Sequence, residues 1–218
     1  MIITEQKPFQ QILEYLKGYN KIFLVGCGEC ATTCKSGSET ELLAIKQLLE
    51  GEGKQVLGMC IPSAPCVASQ IKTELAKNSK LLRQAEAVLV LACGLGVQSV
   101  KDNDRMNLAV LPALNTICGA VMDARGDFYE KCSMCGECVL AVTGGICPVT
   151  ICPKGLLNGP CGGMDKGKCE VDKEKDCAWV LIYKEFEKKA GQAALKEVLP
   201  PRDHKKAGRP HRFITAPK

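Results

Sequence analysis

Apolar residues in the first half of the chain follow two alternating patterns. Residues 9–17 carry Ile12, Leu13 and Leu16 at helical spacing, whereas 21–25, KIFLV, is an unbroken apolar run of the kind a strand buried on both faces shows. Ser38 and Glu41 stand three apart, the spacing of a capping box, and predict a helix to about Glu50 with Gly51 as its stop. Residues 55–59 read as a second strand and 70–84 as mostly helix. Residues 87–92, AVLVLA, read as a third strand and 108–111 as a fourth. Strand and helix in alternation require crossovers, which are right-handed and build a parallel sheet. The expectation for residues 1–117 is an α/β domain with a parallel sheet of the flavodoxin or Rossmann kind.

From about Cys118 this periodicity stops, and Gly, Pro and Cys dominate as far as Cys169. Such a stretch has little core of its own, so metal coordination would have to substitute for burial. Helical spacing returns over about 176–190, where Trp179, Ile182, Tyr183 and Phe186 would cover one face against the cysteine-rich part. The second expected domain, 118–199, is therefore a small, irregular, metal-stabilised unit with a C-terminal helix, followed by a basic tail, 200–218.

Composition changes the picture in one respect above all. The chain has 218 residues, 46% of them hydrophobic, which fits a globular protein, but 15 are cysteines. No apolar run approaches the roughly 18 residues of a membrane span. The opening MIITEQKPFQ lacks the basic and apolar blocks of a signal peptide, so the expected location is the cytoplasm. Thiols there stay reduced, and many of these lie at C-x-x-C spacing, too close for ordinary structural bridges. The two histidines, His204 and His211, are both in the tail. Metal sites in the body must then be thiolate sites, which select zinc or iron–sulfur clusters.

The net charge of +5 is carried by the tail: Arg202, Lys205, Lys206, Arg209, Arg212 and Lys218 face only Asp203, leaving residues 1–199 formally neutral. A nucleic-acid protein would more often spread a basic face over its fold, so no nucleic-acid partner is expected. A solvated tail and a strap along a partner protein both remain open.

The first strand runs into VGCGECATTC. Gly26, Gly28 and Ala31 fall at G-x-G-x-x-A spacing, the outline of a dinucleotide turn, but Cys27, Cys30 and Cys34 occupy and adjoin the same turn. Cys60 follows the second strand and Cys93 the third; Cys118 lies several residues beyond the fourth. Strands of a parallel sheet share a direction, so these loops gather at its carboxyl edge, where α/β folds bind ligands. Three thiols at C-x2-C-x3-C need one more to complete a four-iron cubane, and Cys93 in LACGLG is placed to supply it. Glycine N–H groups in such a turn can hydrogen-bond cluster sulfur. Zinc is the competing metal, and Cys60 and Cys66 are alternative ligands or free core thiols.

Downstream, Cys132, Cys135 and Cys138 in CSMCGEC have the spacing that wraps one corner of a cubane in bacterial ferredoxins. There the pattern closes with x3-Cys-Pro; here the next such pair is Cys147–Pro148, so the fourth ligand stays open. Cys152, Cys161, Cys169 and Cys177 follow at wider intervals. Two clusters, or one cluster and one zinc, both satisfy these eight thiols, and interleaved ligation is compatible with either.

The string CPKGLLNGPCGG, 152–163, resembles the signature of the methylenetetrahydrofolate reductase C-terminal family. The chain as a whole is similar to the small cysteine-rich subunit that accompanies the flavin-bearing reductase subunit in acetogens and related anaerobes. That resemblance implies a role in one-carbon metabolism, in the Wood–Ljungdahl pathway. The subunit would carry [4Fe-4S] clusters, two of them, with zinc as a further possibility. It would relay electrons, from an upstream donor subunit or ferredoxin, to the flavin of a TIM-barrel partner that reduces 5,10-methylene- to 5-methyltetrahydrofolate. The residues read on their own are consistent: the body has no histidine, no nucleophile–base pair and no complete flavin motif, so no catalytic residue is expected. Two rivals stand beside this reading: a zinc-stabilised assembly subunit without redox duty, and a cluster subunit of another flavoenzyme, such as a heterodisulfide-reductase-like complex.

Overall fold

The computed structural model describes residues 1–188 and 198–206. Its contacts divide the chain into Met1–Cys118 and Gly119–Lys218. Among the described residues, no helix is long and apolar enough to cross a membrane.

The first unit contains, in order, β1 (Ile2–Gln6), α1 (Phe9–Tyr15), β2 (Lys21–Val25), α2 (Cys30–Thr33), α3 (Glu39–Gly51), β3 (Gln55–Cys60), α4 (Ala68–Lys77), α5 (Ser79–Leu82), β4 (Ala87–Val90), α6 (Gly94–Asn103) and β5 (Ala109–Pro112). Four of the strands form a sheet in the order β3-β2-β4-β5, every pair parallel, with Val25 level with both Cys60 and Val90. This is the α/β architecture expected from the alternation of apolar runs and helical spacing. The two central strands are the most apolar: Ile22–Val25 and Ala87–Val90 are fully buried or nearly so, because helices cover both faces of such a sheet. Their flanking helices contribute Ile12, Leu42, Ile45, Leu49 and Ile71 to the same core.

Local chemistry sets the helix limits. Glu41 reaches back to accept the Ser38 N–H at 2.9 Å, completing the capping box that opens α3. The helix expected over 70–84 is instead two, α4 and α5. Asn78, between them, turns its side-chain amide onto the Glu74 carbonyl at 2.9 Å and so competes with continuation of the helix. Helix α6 was not evident in the pattern, since Gly94 and Gly96 lower its propensity. A Cβ on Gly96 would stand 2.8 Å from Ala92 Cβ and 3.1 Å from Pro65 Cγ, so glycine permits the close packing that holds this helix.

A second sheet has the order β1-β6-β7, with β6 spanning Leu114–Met122 and β7 Phe128–Cys132. Irregular chain was expected from Cys118 onward; Cys118 lies inside β6, and Gly119–Met122 pair antiparallel with β7. The hairpin turn is built by Asp123, whose carboxylate accepts the N–H groups of Arg125 (2.8 Å) and Asp127 (3.0 Å), with Gly126 at φ 91°. Beyond the hairpin come a 3-10 turn at Leu140–Val142, α7 (Pro148–Ile151) and α8 (Ala178–Lys188).

Helix α8 buries Trp179, Ile182 and Phe186. Tyr183, expected on the same face, is 41% exposed. Residues 189 and 190, the expected end of this helix, lie outside the described residues, as do Arg209, His211, Arg212 and Lys218 of the tail. The described start of the tail folds back within its own unit. Glu137 accepts the Asp203 N–H at 3.1 Å and the Lys206 ammonium at 2.9 Å, and Asn158 exchanges two hydrogen bonds with Leu199.

Candidate metal centres

All fifteen cysteines are free thiols. Seven belong to the first unit, and the sheet order explains where they gather. Strand β2 is followed in sequence by β3 on one side and, after a second crossover, by β4 on the other. The connections leaving β2 and β4 therefore part at the carboxyl edge, the crevice where open α/β sheets bind ligands. Cys27 lies two residues beyond β2, and Cys93 is the residue that precedes α6. Both are buried.

The Cys27 turn is shaped to hold a sulfur. The backbone N–H groups of Ala31 and Glu29 face the Cys27 sulfur and pull its thiol pKa down, although burial outweighs them and the net shift is upward. Ionised neighbours at Cys30 and Cys93 would push it up further. The turn is fixed by Cys27 N–H to Gly37 O at 3.1 Å and Gly28 N–H to Pro62 O at 2.9 Å. Gly26 and Gly37 are confined by close approach of backbone: a Cβ on Gly26 would stand 2.6 Å from Gly37 O.

Cys30 opens α2, and its sulfur accepts the Ile2 N–H at 3.5 Å. Cys34 closes the same short helix and turns its S–H to the Ile2 carbonyl at 3.7 Å. Cys60 ends β3 as a core residue, its pKa pushed up to about 12 by burial and then by Glu74, so it is held as a neutral thiol. Cys66, in the loop after β3, is exposed. Cys118 is part of β6 rather than of the loop cluster.

In the second unit, Cys132 ends β7, and the chain turns sharply through Met134 and Gly136, both at positive φ. The Met134 N–H donates to the Cys132 sulfur at 3.3 Å. Thr150, on α7, ties this turn to Cys147. Its hydroxyl oxygen accepts the Ser133 N–H at 3.0 Å and also meets the Cys147 thiol at 3.6 Å. Cys147 immediately precedes α7. One threonine thus links the start of the 132–138 run to its expected fourth thiol. Cys135 donates to the Glu137 carbonyl at 3.5 Å, on the residue whose carboxylate also holds Lys206.

The remaining thiols converge more plainly. Cys152, Cys161, Cys169 and Cys177 all line one cavity of 20 Å³, together with Leu156, Met164 and Trp179. Short antiparallel bridges, Asp165 to Lys168 and Lys168 to Asp176, fix the backbone on which Cys169 and Cys177 stand. The Cys169 N–H bonds Lys175 O at 2.9 Å, and the Cys177 N–H bonds Gly167 O at 2.8 Å. Trp179 seals one wall, donating from Nε1 to Leu156 O at 3.0 Å. The Cys161 thiol pKa is lowered, first by the Gly163 N–H and then by the Lys154 ammonium, which also pairs with Glu170.

These sets suit a soft metal in donor type and in flanking N–H groups. A cavity of 20 Å³ accommodates a body about the size of one water, which suits a single ion better than a cubane. Among the described residues, no three His, Cys, Asp or Glu side chains stand close enough together to grip an ion without moving. A tetrahedral zinc held by four thiolates would need them about 3.8 Å from one another, so binding there would require the sulfurs to move inward.

Sequence reasoning did not single out Thr150, Gly163 or Lys154, because nothing in their local spacing marks them. Only the fold brings them to sulfur. No curated protein and no solved structure matches the chain. Residues 111–205 match a protein family described as methylene-tetrahydrofolate reductase C terminal, a span that takes in every cysteine from Cys118 to Cys177.

Proposed function

We propose that the chain is an iron–sulfur electron-transfer subunit of a methylenetetrahydrofolate reductase complex, acting in the cytoplasm. One observation carries this reading: the stretch that matches the reductase C-terminal family holds eight thiols at Cys132 to Cys177, four of them on residues that line one small cavity and a fifth, Cys147, tied through Thr150 to the turn after Cys132. Bound clusters would supply one-electron storage, and the protein would orient them and set their potential. Cys27, Cys30, Cys34 and Cys93 would hold one centre at the sheet edge, and Cys132, Cys135, Cys138 and Cys147 a second. The N–H groups of Ile2, Ala31 and Met134 would donate to their thiolates, and such bonds raise the potential of a cluster. The partner is a flavin-bearing subunit that binds the folate, and the electrons reach its flavin from a donor subunit or ferredoxin.

A second reading is favoured by the cavity alone. Four thiols around 20 Å³ suit one zinc whose role is to hold the second unit together. The two readings coexist if zinc occupies that cavity and clusters occupy the other sites.

The test is an iron and zinc count on chain purified without oxygen, with visible spectra before and after dithionite. About eight irons per chain with absorption that bleaches on reduction are expected for two cubanes, with up to one zinc beside them. A colourless, zinc-only protein refutes the relay. Copurification with a flavoprotein that does not bind folate refutes the choice of partner.

A further inference from the structure

Helix α4, with α5 behind it, leads from the end of β3 back to the start of β4, and α6 leads from the end of β4 back to the start of β5. The two connections pack side by side. Their far ends therefore meet at the amino edge of the sheet, opposite the crevice where Cys27 and Cys93 stand. Each connection changes direction there. Asn78 separates α4 from α5, and beyond α6 the Asp104 carboxylate accepts the N–H groups of Met106 at 2.9 Å and Leu108 at 2.6 Å. A cavity of about 810 Å³ lies between them.

The wall of this cavity mixes two kinds of side chain. Leu75 and Leu82 are core residues that also line it, and Met106 is half-buried beside them. Lys72 on α4, Arg83 at the end of α5 and Arg105 in the turn after α6 bring positive charge to the same wall. All three are exposed, and none makes an ion pair or a side-chain hydrogen bond with a described residue. Asp104 is the one acid among the described lining residues, and the Met106 and Leu108 N–H groups occupy its two oxygens. Three cations from separate elements thus share one hollow, and their charge is left for something outside the fold to neutralise.

Sites for small organic ligands run to about 300–1,000 Å³, and a bare inorganic anion would fill only a small part of this one. Guanidinium groups present forked N–H donors that match phosphate oxygens two at a time. A wall of leucine and methionine suits an apolar ring. We infer that the cavity is a binding site for a nucleoside diphosphate, its base against Leu75, Leu82 and Met106 and its phosphates held by Lys72, Arg83 and Arg105. No thiol takes part, so the site is independent of the proposed clusters.

The test is calorimetric titration of full-length chain, purified without oxygen, with ADP, adenosine, pyrophosphate and a hexaglutamate peptide. ADP is expected to bind one per chain. Adenosine, which lacks the charge, and pyrophosphate, which lacks the apolar body, should each bind more weakly by about tenfold or more. Arg83→Gln and Arg105→Gln should each weaken ADP by about tenfold, the loss of one charge-assisted contact. Lys17→Gln, an exposed cation outside the cavity, should leave ADP binding unchanged. Because the replaced residues are exposed, the variants should melt as wild type does. No ADP binding at millimolar concentration, or binding that Arg83→Gln and Arg105→Gln leave intact, overturns the site. Adenosine as tight as ADP overturns the role of the cations, and pyrophosphate as tight as ADP overturns the role of the apolar wall. Hexaglutamate as tight as ADP overturns the ligand class in favour of an acidic protein segment.

Discussion

Removing metal from the intact chain should unfold the second unit and leave the first standing. The hydrophobic cluster of the second unit centres on three large side chains, Trp179, Ile182 and Phe186. At about 1.5–3 kcal/mol for each fully buried side chain, the three contribute roughly 5–9 kcal/mol. A single structural zinc contributes about 10–16 kcal/mol at neutral pH, so the proposed thiol-bound metal would outweigh the burial. The first unit has a far larger core, with Phe23, Leu24, Leu89 and Leu91 among many fully buried side chains. The chain has one tryptophan, Trp179, which is 4% exposed and donates to Leu156 O across the thiol-lined cavity. Its fluorescence therefore reports on the second unit alone. Stripping iron and zinc should shift its emission to the red in the absence of denaturant, while far-ultraviolet dichroism keeps the signal of the α/β unit. Unshifted emission from chain shown to hold no metal would refute the reasoning.

Three further outcomes are expected. Cys135→Ala should lose the iron of one centre, read by metal count, while the centre at the sheet edge keeps its own. Cys60, with its thiol at about 12, should resist alkylation in native chain even at pH 9 and become reactive only in denaturant, as mass spectrometry would show. Gly37→Ala would drive a Cβ into the Leu91 carbonyl and to 2.8 Å from Ala31 Cβ. Overpacking of this kind costs about 1–3 kcal/mol, so its melting temperature should fall, with iron lost from the adjoining Cys27 turn.

What could be read in advance depended on burial. The runs 21–25 and 87–92 are continuous apolar blocks because both faces of those strands are covered, and the structure has strands at Lys21–Val25 and Ala87–Val90. The capping box at Ser38 was equally plain, since it is written in two side chains three positions apart. The hairpin β6–β7 was missed because every residue of β7 is exposed and no apolar alternation marks it. Its one local signal was the Asp123–Gly126 turn. The candidate site divides in the same way. The runs 27–34 and 132–138 advertise themselves by spacing, but spacing along a chain favours the nearest thiol. Which distant residue joins a group is decided by crossovers and by single links such as Thr150, and these exist only in three dimensions.

The way the thiols are distributed over the two units sets an order of events during biosynthesis. The turn carrying Cys27 and the helix start carrying Cys93 come to one edge only after two crossovers have placed β2 and β4 side by side, so a metal proposed for that crevice could enter only once those strands are paired. In Gly119–Lys218 the proposed metal would reverse the sequence, because so small an apolar cluster would settle only once the metal is bound. A newly made chain starved of iron or zinc should therefore accumulate as a finished amino-terminal half with an unravelled, protease-sensitive remainder.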